Sequence, residues 1–161
     1  MIKTAQNTHK RNNLKFKLKE YSEDVFRSLY PKLKEKEINI SVDIDETLEL
    51  DSYPGAYSQI LTNLVLNSLV HGFDRKDQGN IILSAQLADA ELNINYSDDG
   101  KGIPESNLSK IFDPFYSTDK KSGTGLGLHI VYNLVSQKLQ GTITCSSEKE
   151  KGATFQIKIP V

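Results

Sequence analysis

Four short runs of this 161-residue chain carry side chains suited to chemistry as well as packing: Asn63, Asn67 and His71; Asp98 to Gly102; Phe112 to Thr118; and Gly123 to Leu128. Asn63, Asn67 and His71 stand four residues apart, so on an α-helix each advances about 40° on the one before and the three form a polar stripe. Asparagine is a poor helix-interior residue. Two of them beside an apolar face suit either an amide oxygen offered to a hard cation such as Mg2+ or hydrogen bonds to neighbouring backbone. Ser97-Asp98-Asp99-Gly100-Lys101-Gly102-Ile103-Pro104 follows a strand-like run. Asp-Gly is a turn signal, yet the same residues also suit a carboxylate that accepts from an exocyclic base amine, with Gly100 and Gly102 letting backbone approach a ligand. Gly123-Thr124-Gly125-Leu126-Gly127-Leu128 opens a helix-like run, where glycine-rich backbone either presents N–H groups to phosphates or serves as a hinge. No Gly-Lys-Ser/Thr follows, so this is not a P-loop, and Leu128 stands where a dinucleotide fingerprint needs its third glycine. Lys120 and Lys121, just upstream, are candidate phosphate partners or simply solvated.

Taken in order, Leu61-Thr62-Asn63-Leu64-Val65-Leu66-Asn67-Ser68, Asp98-Asp99-Gly100-Lys101-Gly102, Phe112-Asp113-Pro114-Phe115 and Gly123-Thr124-Gly125-Leu126-Gly127-Leu128 form a recognisable series. The series resembles the N, G1, F and G2 boxes of the ATP-binding catalytic domain of sensor histidine kinases, within the GHKL superfamily. The resemblance covers about residues 38–160, and the closing Gly152-Ala153-Thr154-Phe155 is similar to the last strand of such domains. It implies an α+β fold: a two-layer α/β sandwich of the Bergerat type, with a mixed sheet covered on one face by helices. ATP would lie between the helix layer and a lid, here roughly 101–124. The resemblance also implies that Asp98 reads the adenine amine with Thr154 beside it. Asn67 would bind Mg2+, and Asn63 and His71 would line the phosphate side as the rest of the catalytic stripe. Gly125, Leu126 and Gly127 would offer backbone N–H groups to the phosphates. Gly100, Gly102, Ile103, Lys120, Gly123, Thr124 and Leu128 complete the expected ATP-binding set, together with Phe115, which with Phe112 matches the lid aromatics.

Two departures refine what the resemblance implies. The ATP-hydrolysing branches of the superfamily carry a glutamate general base four residues before the magnesium asparagine. Here that place is Asn63, and an amide cannot accept a proton near pH 7. Phosphoryl transfer to a separately supplied nucleophile needs mainly positioning and charge neutralisation, which the stripe can supply. The second departure is the acceptor: the only histidines are His9, His71 and His129, and none lies in a segment suited to a phosphoacceptor hairpin. The expected function is therefore transfer of the γ-phosphoryl of Mg-ATP to a histidine on a dimerisation domain absent from this chain, with a response regulator downstream. The alternatives are a GHKL serine kinase of the anti-sigma type, a GHKL ATPase, or a nucleotide-responsive interaction module.

The elements that must position these residues follow from hydrophobic periodicity. Val25, Phe26, Leu29, Tyr30 and Leu33 predict a helix over 22–35, interrupted by Pro31, and alternation from Ile38 to Ile44 predicts a strand. A short strand near 48–53 precedes a long amphipathic helix over 54–72 that starts at a proline. Strands are expected at 80–87 and 91–97, a functional loop from 98 to 124, a helix over 125–139, and closing strands at 141–147 and 153–159. Residues 1–14 are expected to be a linker or the remnant of a preceding dimerisation domain, and 15–161 the catalytic domain.

Composition narrows the function classes. Twenty basic against twenty-one acidic residues leave a net charge of −1, so no global field favours nucleic acid or anionic lipid, although residues 1–19 carry six basic residues and no acid before Glu20. The apolar stretch from Ile60 to Val70 is broken by Thr62, Asn63, Asn67 and Ser68, short of the roughly 20 residues a membrane span needs. A cytoplasmic location for this domain, with no membrane contact of its own, is the expectation, whether or not the parent protein is membrane-anchored. The lone Cys145, in a β-rich run, is expected to be a small buried hydrophobe.

Overall fold

The computed structural model describes residues 13–116 and 126–161. Strand β1 (Leu14–Lys17) leads directly into helix α1 (Leu18–Ser28), whose buried Leu18, Ser22, Val25 and Phe26 follow the spacing of a single helical face. The helix starts four residues before its expected position because Leu18 is fully buried and its N–H is bonded to the Leu48 carbonyl at 3.0 Å. It ends at Ser28, and Pro31 sits in the first turn of a new short helix, α2 (Tyr30–Leu33). A proline cannot donate inside a continuous helix, so the single expected element divides there.

Strand β2 (Ile38–Asp43) pairs in parallel with β4 (Gly79–Ala88), while the intervening β3 (Glu49–Ser52) pairs with β1 in a separate two-stranded ribbon. The crossover between β2 and β4 carries helix α3 (Pro54–Asn67), with Pro54 at its first turn, followed without a break by a π turn over Ser68–Gly72. Strands β4 and β5 (Glu91–Asp98) form a hairpin whose Asp89 and Ala90 both take positive φ, at 53° and 61°, as a tight two-residue turn between twisted strands requires. The short helix α4 (Glu105–Leu108) and helix α5 (Gly127–Asn133) follow. A π turn over Leu134–Lys138 then leads to β6 (Thr142–Ser147) and β7 (Ala153–Pro160).

The main sheet has the order β2-β4-β5-β7-β6, parallel at β2/β4 and antiparallel elsewhere. One face is apolar: Ile81, Leu83, Leu92, Ile94, Tyr96, Phe155, Ile157 and Ile159 are all 2% exposed or less. Helix α3 covers that face with Ile60, Leu61, Leu64 and Val65, helix α5 with Val131, and the π turn after α5 with Val135. The opposite face carries Ser84, Gln86, Asn93, Asn95, Ser97 and Gln156 beside an exposed Ile82, in the alternation of a half-solvated sheet, which lapses only at the end of β4 where Leu87 is exposed too. The architecture is the expected α+β sandwich, one helix layer on a mixed sheet.

Candidate functional site

Asp98 closes β5. Counting by twos from Leu92 puts it on the core face with Ile94 and Tyr96, and it is only 7% exposed. A buried carboxylate is costly unless donors surround it. Three do: the Gly100 N–H (3.0 Å) and the Ala153 N–H (3.3 Å) reach Oδ1, and the Ser68 hydroxyl donates to Oδ2 at 2.7 Å. Ser68 in turn lies 2.8 Å from the Tyr96 hydroxyl, which is 3.2 Å from the Leu64 carbonyl. Burial pushes the Tyr96 phenol well above its ordinary value, against the opposing effect of its bond to Ser68, and the nearby Asp98 charge pushes the same way as burial. The phenol is therefore a hydrogen-bond donor near neutral pH. A carboxylate has about four acceptor directions, and donors among the described residues occupy three, so with respect to these residues it can accept one more hydrogen bond.

The glycines around Asp98 let the chain approach itself. A Cβ on Gly100 would stand 2.5 Å from the Gly72 carbonyl oxygen, and one on Gly102, at φ +78°, would stand 2.2 Å from the Glu148 carbonyl oxygen. The close approach expected toward a ligand is made here toward the protein's own backbone. The loop is further fixed by the Lys101 N–H on Gly72 O (2.9 Å), the Ile103 N–H on Ser147 Oγ (2.7 Å) and the Lys101–Asp74 ion pair (2.8 Å). The neighbouring Asp99 is structural: the Asn80 backbone N–H and amide bind its two oxygens at 2.8 and 2.9 Å. Burial opposes its ionisation, but the Asn80 donors and the Lys76 charge outweigh burial and hold its pKa below the usual range.

The stripe is present, with its members differently engaged. Asn63 is half-buried; its Oδ1 accepts from Gln59 Nε2 at 2.8 Å and its Nδ2 donates to the Gly127 carbonyl at 3.2 Å, tying α3 to the start of α5. Asn67, one residue before Ser68, is half-buried at the end of α3, and its amide has no hydrogen-bond partner among the described residues. His71 is half-buried within the π turn. A π turn rotates less per residue than an α turn, so His71 swings back toward the azimuth of Asn63 instead of drifting onward.

Phe112 packs its ring 5.7 Å from Tyr132 and 6.3 Å from Phe155, and its carbonyl is 3.0 Å from His129 Nδ1. The Asn133 amide lies 3.3 Å from the other ring nitrogen, so a neutral His129 protonated on Nδ1 satisfies both contacts. Phe112 thus anchors its segment to α5 and the sheet. Phe115 does not: it is 74% exposed, at φ +65°. Leu126 and Leu128 are half-buried at the opening of α5, with Gly127 exposed between them, and Ile103 packs against the core. Lys120, Gly123, Thr124 and Gly125 lie outside the described residues.

Thr154 is not beside the Asp98 carboxylate. In the β5/β7 register Asp98 faces Ala153 and Ser97 faces Thr154, so Thr154 points to the opposite side of the sheet, with its hydroxyl 2.8 Å from Ser97 Oγ. Neighbouring residues of a strand alternate faces, and the count is off by one. Ala153 takes the place beside the carboxylate. Ser68 and Tyr96 were missed as well, because a serine after an asparagine and a tyrosine in an apolar strand each pass for ordinary residues. The detectable signal was polarity at positions 68 and 96, both of which fall on core faces by period. Cys145 is half-buried, and burial pushes its thiol to about 12, with the Asp98 charge adding to the effect, so it is no nucleophile at neutral pH.

Residues 53–161 match the family model described as histidine kinase-, DNA gyrase B-, and HSP90-like ATPase. The chain belongs to this family. Among curated members, the sensor histidine kinase ZraS of Escherichia coli (strain K12) is 38% identical over 127 residues, covering 78% of this chain and 26% of ZraS. Sporulation kinase E of Bacillus subtilis (strain 168) is 34% identical over 119 residues, covering 73% of this chain and 15% of that kinase. The chain thus spans about a quarter or less of the length of these relatives. Among solved structures, the nucleotide-free catalytic domain of histidine kinase ThkA superposes with a TM-score of 0.80 at 27% identity, covering 92% of this chain and 95% of that one. Full-length ShkA in complex with AMPPNP superposes with a TM-score of 0.78 at 26% identity, covering 92% and 31%. Both structures share the family's helix-on-sheet fold.

Proposed function

We propose that this chain binds ATP with Mg2+ and transfers the γ-phosphoryl group to a histidine on a dimerisation domain of the same parent kinase, with a response regulator as the later recipient. The observation that carries the reading is Asp98: a buried carboxylate, held by three donors among the described residues and, as far as these go, one acceptor direction short of saturation, at the end of a central strand under the helix layer. An adenine amine is the kind of donor that completes it, while Gly100, Gly102 and Ile103 hold the loop behind the base. Asn67 offers an amide oxygen without a partner among the described residues, a hard donor suited to Mg2+. Among the described residues no three His, Cys, Asp or Glu cluster as a metal cage. This suits a cation held by one side chain together with phosphates and water, as Mg2+ is in phosphoryl-transfer sites. When bound, Mg2+ would neutralise phosphate charge. Asn63 and His71 would line the phosphate side, and the backbone from Gly123 to Leu128, with Lys120, would meet the phosphate tail.

Asn63 supports transfer over hydrolysis: its amide is not a proton acceptor, and it spends its groups on Gln59 and Gly127. Residues 15–161 would be the catalytic unit, extended by Leu14, which already pairs with Ser52, and the residues before it a linker or the remnant of a preceding dimerisation domain. No described helix is long and apolar enough to cross a membrane, and we place this unit on the cytoplasmic side, where ATP is supplied. The test is to mix the chain with the purified dimerisation domain and γ-labelled ATP. Acid-labile, base-stable label on the acceptor domain is expected. Label on serine, or steady phosphate release by the chain alone, would overturn the assignment.

A further inference from the structure

We infer that Ser68 and Tyr96 are positioning residues that set base selectivity, by aligning Asp98 as a pure acceptor toward the purine edge. The inference rests on the nucleotide reading above. Ser68 is fully buried on the core side of the turn that ends α3, and Tyr96 is fully buried one position inward from Asp98 on the same face of β5. Hydroxyls in such places are costly unless paired, and these two are paired with each other at 2.8 Å. Each hydroxyl has one proton. Asp98 Oδ2, 2.7 Å from Ser68 Oγ, can only accept, so the Ser68 proton goes to the carboxylate. The Tyr96 proton is then left to Ser68 Oγ, with the Leu64 carbonyl at 3.2 Å as its more distant alternative. The result is a one-way chain of donation, from Tyr96 to Ser68 to Asp98.

This chain has a consequence for the ligand. Oδ1 is held by two backbone N–H groups and Oδ2 by Ser68, which stops the carboxyl from pivoting about its Cβ–Cγ bond. A purine with an amine at the reading position donates into the one remaining acceptor direction. A carbonyl in the same place meets oxygen against oxygen, and the nearby Ser68 proton is already committed and cannot turn toward it. Removing the Ser68 hydroxyl frees the carboxyl to pivot and opens space for a water that can donate to a carbonyl. Preference for the amine then falls even though Asp98 itself is intact.

The experiment is calorimetric titration of the full chain, in Mg2+, with ADP and with purine riboside 5′-diphosphate, which has hydrogen in place of the amine. It compares wild type, Ser68→Ala and Tyr96→Phe. Wild type is expected to prefer ADP, and Ser68→Ala should cut that preference by about tenfold, the size of one charge-assisted hydrogen bond, while leaving the amine-free ligand nearly unchanged. Tyr96→Phe should move the ratio in the same direction by less. Equal weakening of both ligands, or an unchanged ratio, overturns the inference, since a merely structural role would lower both affinities together. If Ser68→Ala does not fold, Tyr96→Phe carries the same ratio test, because its ring retains the packing against Phe155, 6.3 Å away. Wild type that binds neither ligand overturns the nucleotide reading and this inference together, whereas ADP binding with an unaltered ratio in the variants overturns this inference alone.

Discussion

Asp98 is marked both by pattern and by structure, and the base-reading role proposed for it rests on the two together. Its position after a strand and before two glycines marks it in the sequence, and its burial against three donors marks it in the fold. Asp98→Asn keeps the shape but brings an N–H2 into a pocket built of donors, leaving a mismatched group that costs about 1–3 kcal/mol. The expected outcome is loss of the ATP-over-GTP preference in competitive binding. An unchanged preference would remove Asp98 from the base-reading role. Thr154 teaches the opposite lesson. Its place after Ala153 is plain in the sequence, but which face it takes depends on a pairing with Ser97 that lies 57 residues away. Thr154→Val should therefore leave nucleotide affinity nearly as it was, since the hydroxyl it removes is across the sheet from Asp98. A drop as large as that of Asp98→Asn would show that the open face takes part in binding.

At the scale of elements, periodicity located what is long and amphipathic and failed where an element is very short or where no residue type marks its geometry. Helix α3, the β4/β5 hairpin and the closing strands lie within a few residues of their expected bounds because each carries several turns or pairs of regular apolar spacing. Strand β1 is easily passed over: Leu14 and Phe16 alternate with Lys15 and Lys17 for only four residues, the shortest run that alternation can mark, and their partner β3 lies more than thirty residues on. The π turn after α3 was equally hidden, since nothing in Ser68-Leu69-Val70-His71-Gly72 distinguishes it from a further α turn. Yet that turn brings the Gly72 carbonyl against Gly100 and so joins the helix carrying Asn67 to the strand carrying Asp98. Gly100→Ala tests the junction. Its Cβ would sit 2.5 Å from that carbonyl oxygen, and the backbone shift needed to relieve the clash should cost about 1–3 kcal/mol in chemical denaturation. Nucleotide binding should weaken with it, because Asp98 and the turn move apart. A variant of wild-type stability would mean that the two segments slide past one another freely.

Over the whole molecule, the site exists only because distant segments converge. Asp98 ends β5, Ala153 begins β7 on one side of it, Ile81 of β4 pairs with it on the other, and Ser68 descends from the helix layer. No local run of sequence contains this set, which is why the boxes were legible individually while the network of Ser68, Tyr96 and Ala153 between them was not. Such a site binds only the folded chain, so a nucleotide must stabilise the whole fold by mass action. With ATP and Mg2+ at a hundred times the dissociation constant the gain is about 2.7 kcal/mol. For a domain of this size each kcal/mol moves the thermal midpoint by about 2–4 °C, so a rise of roughly 5–11 °C is expected in a melting experiment. The rise should shrink in Asp98→Asn and, when Mg2+ is withheld, fall in wild type to a level that Asn67→Ala shows with Mg2+ present. Asn67 would thereby be identified as the side chain through which the cation acts. Equal midpoints with and without nucleotide, at concentrations where the unliganded protein melts cooperatively, would mean that the converging segments do not form a nucleotide site at all.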